Sequence, residues 1–164
     1  MTTAKTHILS HTEILIKLER MACEICEKHT NSGALVICGL NRRGFALSKL
    51  LSEKINAIDS KLSVVNVNAV VDGDSVSFKP SAGFSGKHVL VMDDVINTGS
   101  TLMLVLSEIY RQKPVSIGTV FLAKREHRNF PVKADYVGIS IATTLQEHVQ
   151  FDSADPNNLS VFLV

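Results

Sequence analysis

Tryptophan is absent from this 164-residue chain, and aromatic residues make up only 5% of it. A core without large rings must be filled by aliphatic side chains, and the composition, 45% hydrophobic and 20% charged, supplies them. That balance excludes a disordered or fibrous chain and suits the packed layers of an α/β protein. Charge of one sign is missing too. With a formal net charge of +1 there is no global field to draw in a polyanion, so contact with nucleic acid would need a local cluster of Lys and Arg. No stretch approaches the roughly 20 apolar residues that a membrane span requires, and residues 1–13 show no basic stretch followed by a long apolar run. The expectation is a cytoplasmic protein with no membrane partner.

Cysteine is scarce. Cys23, Cys26 and Cys38 cannot all pair with one another within one chain, and free thiols fit a reducing compartment. Cys23 and Cys26 form a C-x-x-C in mid-helix, with no second such pair to complete four metal ligands, so both read as packing residues and Cys38 as part of a strand core. No protein metal cluster is expected. Internal repeats, low-complexity tracts and linkers are also lacking, and the length suits one domain over residues 1–164.

What is present is an alternation of two periods. Ser10 and Glu13 make a capping-box signature, followed by apolar residues at Ile14, Leu15, Leu18, Met21, Ala22, Ile25 and Cys26, one face of a helix over 11–29. After a turn at 30–33, residues 34–38 form an unbroken apolar run, the mark of a strand buried on both faces. A glycine-bounded loop, 39–44, leads to a second helix carrying Leu47, Leu50, Leu51 and Ile55. Residues 63–71 and 75–78 flank Asp72-Gly73, a hairpin signal. Residues 88–92 form a buried strand, Leu102, Val105, Leu106 and Ile109 mark a helix, and 115–123 and 135–141 are further strands. Residues 80–83 read as a loop and 159–164 as a final edge strand. Strands alternating with helices predict a central, mostly parallel sheet flanked by helices on both faces.

In such sheets ligands bind beyond the carboxyl ends of the strands, where a loop delivers a helix N-terminus. Residues 89–102 fit that place: an apolar strand, the acidic pair Asp93 and Asp94, then Val95, Ile96, Asn97, Thr98, Gly99, Ser100 and Thr101. Small residues let the backbone wrap a phosphate, and the hydroxyls of Thr98, Ser100 and Thr101 can donate to its oxygens. Two carboxylates facing that phosphate would repel it, so their natural partner is a ribose diol whose 5′-phosphate lies in the loop. The second candidate loop offers Asn41, Arg42, Arg43 and Gly44, a planar fork of donors and a glycine that allows close backbone approach.

The acidic pair with its hydroxyl-rich loop resembles the phosphoribosyl pyrophosphate (PRPP) motif of type I phosphoribosyltransferases. Together with residues 39–47 and 124–138 it is similar, in order and spacing over about 8–149, to the bifunctional pyrimidine-operon regulators with uracil phosphoribosyltransferase activity. The resemblance implies transfer of ribosyl 5-phosphate from PRPP to uracil, with catalytic roles for Asp93, Asp94 and Arg43 and a pyrophosphate contact for the loop from Asn41 to Gly44. It implies Mg²⁺ held mainly through PRPP and pyrophosphate, base contacts at Tyr136, Val137 and Gly138, and a homodimer or larger homo-oligomer. It also associates Arg125, His127 and Arg128 with RNA. Two alternatives stay open: a nucleotide-sensing RNA-binding regulator with weak or no catalysis, and a phosphoribosyltransferase for another base such as a purine. Three departures stand out. The short hairpin at Asp72-Gly73 replaces the family's long closing arm, Asn41-Arg42 replaces the common Lys-Thr, and Ile139 stands where Lys is usual.

Overall fold

The computed structural model describes residues 5–81, 83–144 and 146–164; Ala82, in the expected 80–83 loop, lies outside the described residues. The elements run β1 (Thr6–Leu9), α1 (His11–His29), β2 (Ala34–Leu40), α2 (Asn41–Ile58), β3 (Ser63–Asp72), β4 (Ser75–Lys79), β5 (His88–Ile96), α3 (Ser100–Tyr110), β6 (Ser116–Arg125), β7 (Tyr136–Ile141), β8 (Val149–Asp152) and β9 (Ser160–Leu163).

The main sheet has six strands in the order β4-β3-β2-β5-β6-β7, all parallel to their neighbours except β4, which returns antiparallel to β3. The central strands are apolar on both sides because both faces are covered. Helices α1 and α2 lie on one face, over Leu35, Ile37, Leu90, Met92, Val120 and Leu122. Helix α3 covers the other, over Val36, Cys38, Val89, Val91 and Phe121. Burial within this second layer pushes the Cys38 thiol up to about 12. Helix α1 begins as expected: Glu13 N–H donates to Ser10 Oγ at 3.3 Å while the Glu13 carboxylate accepts from Ser10 N–H at 2.8 Å. The seven apolar positions read from the sequence all face inward or partly inward. Cys26 is buried among them, whereas Cys23 is exposed rather than packed.

The structure corrects four local expectations. Strand β2 runs on to Leu40 and α2 starts at Asn41, so residues 39–44 are a direct strand-to-helix junction and not a loop. The junction is this tight because Gly39 lacks a side chain: a Cβ there would lie 2.4 Å from Phe45 Cα. The hairpin turn is Gly73-Asp74 rather than Asp72-Gly73, since Asp72 pairs with Ser75 and the positive φ of 57° falls on Gly73. The acidic pair belongs to β5, which continues to Ile96. Residues 160–163 do not form an edge: β9 is the middle strand of a small antiparallel sheet, β1-β9-β8, that the sequence did not reveal. Leu9, Val149, Phe151 and Val161 of that sheet join the hydrophobic cluster under α1.

Candidate active site

Beginning at β2, successive parallel strands are laid to one side as β3 and to the other as β5, so chain direction diverges between β2 and β5. A crevice opens at the carboxyl ends of two such strands because their following connections leave in opposite directions. Here it is a cleft of about 220 Å³ lined by Leu40, Arg43, residues 93–102, Phe121 and Val149.

Asp93 and Asp94 stand side by side near the end of β5, both partly buried. Asp94 N–H donates to Asp93 Oδ1 at 2.8 Å, and Asp94 Oδ2 lies 3.7 Å from Arg43 Nη1. The Asp94 side chain is 13% exposed and that of Arg43 52%, so the guanidinium stands at the mouth of the cleft and the carboxylates deeper in. Burial, and then the neighbouring Asp94 charge, hold the Asp93 carboxyl well above the usual carboxylate range, with Arg43 opposing only weakly.

A carboxyl whose pKa is raised by folding binds more protons folded than unfolded. It therefore costs stability as pH climbs from its unfolded value through the raised one. Asp93→Asn should raise the melting temperature of the ligand-free protein at pH 7–8 and leave it unchanged near pH 4, read by thermal melts across that range. A variant less stable than the parent at pH 8 would contradict this.

The loop beyond the acidic pair is shaped for a phosphate. Gly99 has a φ of 87° and no side chain to cap α3, and a Cβ on it would meet Val132 Cγ2 at 2.5 Å. The Thr98 hydroxyl donates to Ser100 Oγ at 3.2 Å and accepts from Ser100 N–H at 3.3 Å, while Asn129 and Phe130 N–H groups hold Thr98 C=O at 3.0 and 3.2 Å. Hydroxyls and the first-turn N–H groups of α3 thus surround one end of the cleft, where the helix dipole favours an anion.

The phosphoribosyl transferase domain model matches residues 5–155. The chain belongs to that phosphoribosyltransferase family. It is 33% identical over 161 residues to "Bifunctional protein PyrR" of Pelotomaculum thermopropionicum, covering 91% of this chain and 89% of that protein. The protein of the same name in Staphylococcus epidermidis is 32% identical over 154 residues, covering 87% and 88%. Among solved structures, the hypoxanthine phosphoribosyltransferase of Trypanosoma cruzi superposes with a TM-score of 0.81 at 20% identity, over 95% of both chains. A hypoxanthine-guanine phosphoribosyltransferase of Bacillus anthracis gives 0.70 at 21%, over 83% of both. At such identity these two speak to the fold alone.

Of the phosphoribosyltransferase positions singled out in the sequence, the cleft gathers Arg43 and the run 93–101. It does not gather Asn41, Arg42 or Gly44. Asn41 Oδ1 accepts from Val71 N–H at 3.0 Å and ties the junction to β3. Arg42 faces a separate hollow between α2 and residues 153–159. Gly44 lies against β5, where a Cβ would approach Met92 O to 2.6 Å and Asp93 Oδ1 to 3.1 Å, so its smallness lets α2 sit close to the acidic pair. Tyr136, Val137 and Gly138 do not line the cleft either. The Tyr136 hydroxyl is buried without a hydrogen-bond partner, and the Val137 and Gly138 carbonyls accept from the Arg20 guanidinium at 2.6 and 3.1 Å.

The expected RNA patch is also altered. Arg125 is buried, with all three guanidinium nitrogens donating inside the protein, and Arg128 donates to Val132 O at 2.8 Å; of the three, His127 alone is exposed. Arg125 is thus only 8% exposed. Sequence reasoning missed Val149, which reaches the cleft from β8. The signal available was the alternation of Val149 and Phe151 inward with Gln150 and Asp152 outward, too short over four residues to stand out.

Proposed function

We propose that this phosphoribosyltransferase moves the ribosyl 5-phosphate group of PRPP to a ring nitrogen of a nucleobase, with uracil as the base its sequence resemblance favours. The observation that carries this reading is the joining, in one cleft, of a carboxylate pair, a guanidinium and a hydroxyl-lined helix N-terminus. The Thr98 to Thr101 turn takes the 5′-phosphate, and Asp94 with Asp93 accepts hydrogen bonds from the ribose 2′ and 3′ hydroxyls. Arg43, at the mouth, meets the pyrophosphate. The ring nitrogen forms its bond to the anomeric carbon as the bond to pyrophosphate breaks and the electron pair leaves with that group; the nitrogen's proton is released. The carboxylates offset the positive charge that develops on the sugar, and Arg43 the negative charge on the departing group. The polar lining is thereby assigned, and the apolar lining, which includes Leu40, Phe121 and Val149, is left for the face of the base.

Carboxylate and hydroxyl oxygens dominate the polar lining, a donor set that fits a hard cation, and among the described residues no group of three or more His, Cys, Asp or Glu forms a closed cage. Asp93 and Asp94 would therefore share Mg²⁺ with oxygens of PRPP and water. When bound, the ion neutralises charge on pyrophosphate. A cytoplasmic setting and a homodimer or larger homo-oligomer accompany this reading; among the described residues no helix is long and apolar enough to cross a membrane.

The test is incubation with PRPP, Mg²⁺ and each free base in turn, following pyrophosphate release. Uracil should support turnover and adenine should not. Turnover with a purine alone would move the substrate assignment, and binding of a nucleoside monophosphate without turnover on any base would replace the enzyme by a nucleotide sensor.

A further inference from the structure

Arg125 is 8% exposed, and no ion pair holds it among the described residues. A buried guanidinium without a carboxylate is costly unless neutral acceptors satisfy its donors. Here they come from two directions. Nη1 donates to Asn97 Oδ1 at 3.3 Å, within the short connection between β5 and α3. Nε donates to Thr143 Oγ1 at 3.0 Å, and Nη2 to Thr144 O at 3.3 Å and Glu147 O at 2.7 Å, all in the segment between β7 and β8. That segment is closed on itself by Thr144 N–H donating to Glu147 Oε2 at 2.7 Å, and two residues later it delivers Val149 to the cleft. One planar side chain thus joins the loop lining one end of the cleft to the segment that leads into Val149 of the same lining, although 45 residues of sequence lie between Asn97 and Thr143.

We propose that Arg125 is a positioning residue that couples the sugar-phosphate half of the cleft to the half walled by Val149, so that the nucleobase is held in register with the anomeric carbon. The proposal rests on the phosphoribosyltransferase reading above. Its physical basis is the fork of the guanidinium, whose rigid, divergent donors can reach both segments at once. A lysine keeps the positive charge but presents one compact head that cannot span them.

Arg125→Lys separates the two contributions, because any general attraction of the charge for phosphate is preserved while the bridge is lost. By calorimetric titration, the parent protein should bind uridine 5′-monophosphate more tightly than ribose 5-phosphate, the difference reporting the base. In Arg125→Lys the affinity for ribose 5-phosphate should stay within about twofold, whereas the preference for the nucleotide should shrink by roughly tenfold, the scale of hydrogen bonds to a charged group. A parallel fall in both affinities, as a loosened fold would produce, overturns the proposal, and so does an unchanged preference. Should Arg125→Lys fail to fold by its thermal melt, Thr143→Val removes the Nε acceptor from a partly exposed position. It is expected to cut the preference by about threefold; no change there overturns the proposal equally. A parent protein that binds neither ligand brings down the phosphoribosyltransferase reading, and this inference with it, whereas binding with an unaltered preference in the variants removes only this inference.

Discussion

Asp93→Asn combined with Asp94→Asn is expected to weaken PRPP binding by at least about a hundredfold while the protein stays folded. Each carboxylate that accepts from a ribose hydroxyl contributes on the order of 1.5–3 kcal/mol as a charged hydrogen-bond partner, so the pair accounts for roughly 3–6 kcal/mol, or about 10²–10⁴ in affinity. The fold tolerates the change although both residues lie in β5. Asparagine at 93 keeps the oxygen that accepts Asp94 N–H, and it removes a carboxyl whose charged form is disfavoured by burial. Titration of PRPP in the presence of Mg²⁺, alongside a thermal melt, gives both readouts. Affinity within threefold of the parent would end the ribose assignment for this pair.

Gly44→Ala is expected to damage stability and catalysis together. The added methyl would press on Met92 O and Asp93 Cα, backbone atoms that cannot retreat without moving β5 away from α2, and on the Asp93 carboxylate. Overpacking of this kind costs about 1–3 kcal/mol, which in a protein of this size lowers the melting temperature by roughly 2–12 °C. Because the displaced strand carries the acidic pair, kcat should fall as well. Gly83→Ala is the control, since a Cβ there meets nothing within 4 Å. If both alanine variants melt like the parent, the close approach of α2 to β5 is not what Gly44 provides.

The recognition of Arg43 by Asp94 and the crowding at Gly44 share one cause. Residues 43 and 44 open α2 directly at the end of β2, next to β5. In the sequence the same residues read as a free loop, because glycine at both ends of a six-residue stretch is the usual punctuation of one. Only packing shows that these glycines are small to admit backbone and not to bend it. The surroundings of the base-contact and RNA positions were hidden for a related reason. Tyr136, Val137, Gly138, Arg125 and Arg128 were assigned by resemblance along the chain, and resemblance carries no information about which carbonyls and guanidinium groups are already engaged inside the fold.

The order of elements from α1 to β7, the burial of the central strands and the identity of the run from Asp93 to Thr101 were determined by the sequence alone. Each is written in local patterns: apolar periods of two and of 3.6, and a contiguous stretch of carboxylates, hydroxyls and glycine. Tertiary structure decided what depends on residues far apart in the chain. It set Arg43 against Asp94, brought Val149 in from a four-residue strand, and buried Arg125 between Asn97 and Thr143. Such meetings cost chain entropy that only the whole packed core can offset, so no short window of sequence records them.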